Sequence, residues 1–220
     1  HGKNKAGRFI HLSGNGTSDS NPAWTRLCKG KGNATGARFI DGYFHNQGTV
    51  PGAAMIDTLP YPDETKDAWF YSLDDSRFTG CTFSSYGEKT FAVALSSSEN
   101  SFLDCNFYTP NGVLMNGGST AKFYKCVFSI NRCNDKGAIY IPGNGGIGEI
   151  SFFGCYLEST SKPFIHWEEQ ASGGLLGSVN VYGGLFSQLP GRDYFIYVPE
   201  KVKGTINLYN PRFQNKPGKL

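Results

Sequence analysis

One six-residue phrase recurs along this 220-residue chain: an apolar residue, two others, a small residue, one other, then an aromatic or Leu. It reads FTGCTF at Phe78–Phe83, FLDCNF at Phe102–Phe107, FYKCVF at Phe123–Phe128 and FFGCYL at Phe152–Leu157. Looser copies are FIDGYF at Phe39–Phe44, VYGGLF at Val181–Phe186 and LYNPRF at Leu208–Phe213. The small residues at 81, 105, 126, 155, 184 and 211 lie 24, 21, 29, 29 and 27 residues apart, and the step from 42 to 81 is lengthened by a Pro-rich insertion. A second apolar run follows each phrase: Ala53–Ile56, Phe91–Leu95, Val113–Met115, Ala138–Ile141, Phe164–Trp167 and Phe195–Val198.

Two or three short strands per 20 to 30 residues, joined by loops of unequal length, describe a β-solenoid. No coil covers its own apolar side, so coils stack at ~4.8 Å. Successive coils run the same way round and pair in parallel. The expected architecture is all-β: a single-stranded parallel β-helix of about seven to eight coils, forming one domain over residues 1–220. A jelly roll is the alternative, but hairpin sandwiches place turns every 8 to 12 residues.

Four of six cysteines (Cys81, Cys105, Cys126, Cys155) hold the same place in consecutive phrases. Side chains one coil apart are farther separated than the ~3.8 Å between Cβ atoms that a disulfide prefers. The four are therefore read as an inward column of free thiols acting as small hydrophobes. Cys28 and Cys133 lie off the repeat and are read as free too.

Composition excludes several classes. The net charge of +3 is spread along the chain, and the longest basic cluster, Lys29-Gly30-Lys31, is too short for a nucleic-acid footprint. No run approaches the ~18 apolar residues of a membrane span. The N-terminus has a charged start without an apolar stretch, so no signal peptide is read there. The chain is expected to be a mature product or a piece of something longer. No CxxC pair occurs, the four His do not share metal-ligand spacing, and no calcium loop is present, so neither metal nor cofactor is expected. The glycine-rich run Gly143–Gly148 lacks a following Lys-Ser/Thr and reads as a turn.

Strand alternation supplies the candidate site. If Val93, Ile139, Ile165 and Ile196 point inward, then Ala94, Tyr140, His166 and Tyr197 point outward at matching heights, with Glu168 beside His166 and Glu169 at the turn. Aromatic faces with an imidazole and a carboxylate suit a sugar chain; ordinary outward polar residues fit the same pattern. Glycoside hydrolysis needs two carboxyl groups, ~5 Å apart for retention and ~6.5–9.5 Å for inversion, which are one or two coil steps. The candidate catalytic groups are Glu168 with Asp135 or Glu158. Arg132 and Trp69 join Tyr140, His166 and Tyr197 as candidate substrate-binding residues. Asp74-Asp75 reads as a solvated turn.

With the Phe-x-x-Cys-x-Phe phrase stacked four times, the chain resembles the pectate-lyase-like β-helix superfamily over about residues 8–213. With its opening GRFIHLSGNGT (Gly7–Thr17), scarce helix and ragged coils, it looks most like a bacteriophage tailspike or capsule depolymerase. The resemblance implies a right-handed β-helix and a homotrimeric spike, extracellular on the virion. Such a spike binds bacterial capsule, O-antigen or exopolysaccharide and cleaves it by hydrolysis or elimination. No head-binding segment or C-terminal trimerisation module is recognisable, so the domain is expected to be part of a longer spike. A receptor-binding or structural β-helix without catalysis is the alternative, and a secreted lyase or epimerase is a third.

Overall fold

A computed structural model describes residues 11–12, 34–35, 38–46, 54–57, 73–85, 91–95, 99–115, 119–130, 136–142, 147–159, 163–169, 177–188, 194–200 and 202–214. These residues form a parallel β-solenoid with three long faces and contain no helix. The first sheet has seven strands, from Arg38–Ile40 to Gly204–Tyr209; the second has eight, from His11–Leu12 to Arg212–Gln214; the third has six, from Ala54–Asp57 to Ile196–Tyr197. Each strand pairs in parallel with the equivalent strand one coil away, as for Phe102 with Phe78 on one side and Phe123 on the other. Since the third sheet has six strands, at most six described coils are complete on every face. That falls short of the seven to eight expected, because among the described residues the outermost coils contribute strands to only one or two sheets.

The repeated phrase is the corner between the first and second sheets. Its first residue is the last but one of a strand in the first sheet, and its last residue is the second of a strand in the next. The residue between them, just before the small one, adopts a left-handed conformation in every coil: Asp41, Gly80, Asp104, Lys125, Gly154, Gly183 and Asn210 have φ of 51 to 66°. Gly, Asn and Asp tolerate this region and Lys does not readily. The corner is fixed by hydrogen bonds between coils, in which Asp104, Lys125 and Gly154 N–H groups donate to Tyr124, Phe153 and Tyr182 carbonyls at 2.9 Å.

Inside, the phrase makes two aromatic columns. Phe39, Phe78, Phe102, Phe123 and Phe152 stack with centroids 4.7, 4.8, 4.9 and 5.2 Å apart. Phe44, Phe83, Phe107 and Phe128 stack at 4.9, 5.0 and 4.4 Å, and the columns meet edge to face, as between Phe102 and Phe107 at 5.7 Å. Fully burying one such ring contributes roughly 1.5–3 kcal/mol, so this double column dominates the core. The four thiols stand at the same corner, all buried and none in a disulfide. Cys105, Cys126 and Cys155 Sγ each donate to the Phe carbonyl of the preceding coil, at 3.4, 3.3 and 3.3 Å. Burial pushes the Cys126 thiol well above its ordinary value. Cys28 and Cys133 lie outside the described residues.

Candidate functional site

The third sheet carries the column expected from alternation. Val93, Ile139 and Ile165 are buried in the core and Ile196 packs against it. Tyr140 pairs in register with His166, and His166 with Tyr197. The three rings meet edge to face, with centroids 5.8 and 5.4 Å apart and planes at 72 and 85°. Tyr194 adds a fourth ring 5.9 Å from Tyr197. The column is graded in exposure: Tyr140 is 7 % exposed and Tyr197 38 %. Tyr140 is covered because Phe91 stacks on it at 6.0 Å and Leu114 packs beside it, forming an apolar cluster separate from the core.

Polar groups close over the covered end. Lys136, in the turn before Tyr140, donates to Glu168 Oε1 at 2.7 Å and to the Tyr140 hydroxyl at 3.2 Å. Its ammonium lies 4.4 Å from the Tyr140 ring centre. Burial alone would lower the Lys136 ammonium, but hydrogen bonds to Glu168 and Tyr140 outweigh it and hold Lys136 above the ordinary lysine value. Burial, together with a hydrogen bond to Glu168, raises Tyr140 above its ordinary value, so this phenol stays a neutral donor. With side-chain exposures of 33 % and 37 %, Lys136 and Glu168 both remain within reach of a ligand.

Of the candidate residues, Tyr140, His166, Glu168 and Tyr197 are thus brought together. Glu158 belongs to the second sheet, where its carboxylate accepts from the Ser129 hydroxyl at 3.3 Å. Asp135, Arg132 and Trp69 lie outside the described residues, as does the side chain of Ala94. Alternation overlooked Lys136, which sits in a turn rather than a strand. The signal available was a cation four residues before an outward Tyr.

Alternation also overlooked an outer stripe on the first sheet. Tyr124, Phe153, Tyr182 and Tyr209 each follow the first residue of a phrase and stack at 4.7, 4.8 and 4.7 Å with planes within 7°. Their faces are turned to one another along the axis, which leaves ring edges toward solvent and little flat surface for a sugar. A concavity of about 370 Å³ lies among Phe195, Ile196, Leu208 and Phe213, beside Tyr197. Its lining continues the interior apolar columns, so it belongs to the core's last coil. Comparison with family models, with characterised proteins and with solved structures finds no match.

Proposed function

We propose that this chain is a carbohydrate-binding β-helix domain that holds an extended bacterial surface polysaccharide along its third sheet, as part of a tailspike. The observation that carries the reading is the alignment of Tyr140, His166 and Tyr197 along the solenoid axis, with Lys136 and Glu168 at one end. Phenol, imidazole, ammonium and carboxylate groups repeated at the coil step suit a polymer of hydroxyls and C–H faces running parallel to the axis. Binding without cleavage fits this geometry better than hydrolysis. Hydrolysis needs two neighbouring carboxyl groups, whereas Glu168 is engaged by Lys136 and Glu158 stands on another sheet. Cleavage remains the second reading, with Glu168 as the carboxylate that the described residues offer for it. A homotrimeric spike exposed on a virion is the assembly that the resemblance suggests.

The test is retention of purified capsule, O-antigen and exopolysaccharide preparations in affinity electrophoresis, with reducing-end and unsaturated-sugar assays run on the same mixtures. One glycan is expected to be retained, with no product, and Tyr197→Ala to weaken that retention at least tenfold. Product release abolished by Glu168→Gln would establish the cleavage reading instead. Retention of no glycan by the wild-type protein would refute both.

A further inference from the structure

The outer side of the first sheet carries a column that changes character halfway along. At one end it reads Asn207, Asn180, Ser151, and these side chains satisfy one another: Asn207 donates to Asn180 at 2.8 Å, and Asn180 to the Ser151 hydroxyl at 3.2 Å. The same register continues through Lys122 and Ser101 to Arg77 and Arg38. Three cations thus stand in one line across four coils, with the two arginines directly opposite each other on adjacent strands. Like charges in that arrangement repel and weaken the sheet. The side chains of the two arginines and of Lys122 make no hydrogen bond or ion pair among the described residues, and both arginines are exposed. All three line a groove of about 880 Å³ on this face. Asp75 and Glu99 line it too, from the turns two residues before Arg77 and Ser101, yet pair with none of the cations.

We infer that this groove is a second glycan site, selective for an acidic polysaccharide whose sugars bear carboxylates. This rests on the carbohydrate reading above but concerns a different face. The chain lies along the axis with carboxylates on Arg38, Arg77 and Lys122, while Asp75 and Glu99 accept hydrogen bonds from hydroxyls on its other edge. Guanidinium groups match carboxylates in paired hydrogen bonds. The row of acids disfavours a chain charged on both edges. A single-stranded nucleic acid would need an open ring face to stack on. Of the two aromatic residues lining the groove, Phe78 is fully buried in the core and Tyr124 is sandwiched in register between Leu103 and Phe153.

The experiment is titration of the full chain with alginate, hyaluronate, dextran and a single-stranded oligonucleotide at several salt concentrations, with thermal melts confirming each variant's fold. An acidic glycan is expected to bind tighter than dextran. Arg77→Gln/Lys122→Gln should weaken that binding about tenfold or more and flatten the log–log salt dependence by about two. Arg77→Lys, which keeps the charge, should lose less. Tyr197→Ala, which belongs to the third-sheet site, should leave acidic-glycan binding in this groove intact. Equal affinity for dextran, oligonucleotide binding as tight as alginate, or an unchanged double variant would overturn the inference. Loss with Tyr197→Ala alone would overturn it while upholding the third-sheet reading.

Discussion

Lys125 is the misfit in the corner column, and replacing it offers a direct measure of what the corner requires. Its φ is 51°, in line with the glycines at 80, 154 and 183 and the Asp and Asn residues elsewhere in the column. Its side chain is exposed and makes no hydrogen bond or ion pair among the described residues. Lys125→Gly therefore removes no hydrogen bond or ion pair among the described residues. It relieves the roughly 1–2 kcal/mol that an L-residue incurs in the left-handed region. Against that, the unfolded chain gains about 0.5–1 kcal/mol of backbone freedom from the glycine. The difference is a stabilisation of about 0.5–1 kcal/mol, or roughly 1–4 °C in Tm for a chain of this size. The reciprocal change is Gly154→Ala, at φ 61° in the next coil, where an added Cβ meets nothing within 4 Å. It should destabilise by the same amount, because the added methyl brings the same strain and the same loss of unfolded-chain freedom with the signs reversed. Urea unfolding followed by circular dichroism reads both. Destabilisation by Lys125→Gly, or a neutral Gly154→Ala, would refute the account of the corner.

Two further outcomes follow from groups the fold encloses. In a Cys28→Ser/Cys133→Ser variant, the thiols of Cys81, Cys105, Cys126 and Cys155, each no more than 2 % exposed, should react with a disulfide reagent only in denaturant; rapid labelling of any of them in native buffer would contradict the buried column. Lys136 and Tyr140 both have folded-state values raised above their ordinary ones, so the native state binds their protons more tightly and their contribution is complete below about pH 10. It is lost as pH rises through the raised values, so Tm should fall faster with alkalinity in wild type than in Lys136→Met/Tyr140→Phe, and parallel curves would refute the coupling.

The interior was legible because packing constrains it twice. Phe102 must fit its neighbours along the strand and also Phe78 and Phe123 above and below, so the same side chain returns whenever the chain comes round. The thiol column was legible for the same reason. The left-handed corner left a fainter trace: Gly, Asn and Asp at six of seven positions, interrupted by Lys125, in a place the phrase leaves open. Tyr140, His166 and Tyr197 emerged from alternation alone, since period two assigns a face without knowledge of the ligand. Lys136 did not, because it reaches the column from a turn, and neither alternation nor coil spacing governs a turn.

Stacking also explains why the outer faces, rather than the core, distinguish this solenoid. Parallel in-register pairing turns any outward residue into one rung of a ladder at the coil step, whatever its chemistry. A ladder that satisfies itself, such as Asn207, Asn180 and Ser151, adds to the stability of the sheet. One that repels itself, such as Arg38 over Arg77, subtracts from it. Both occupy the same column on the same sheet, so backbone geometry cannot account for the difference between them. On the proposal made above, what differs is which partner completes the rung: a neighbouring coil in the first case and, in the second, a ligand whose repeat runs parallel to the solenoid axis.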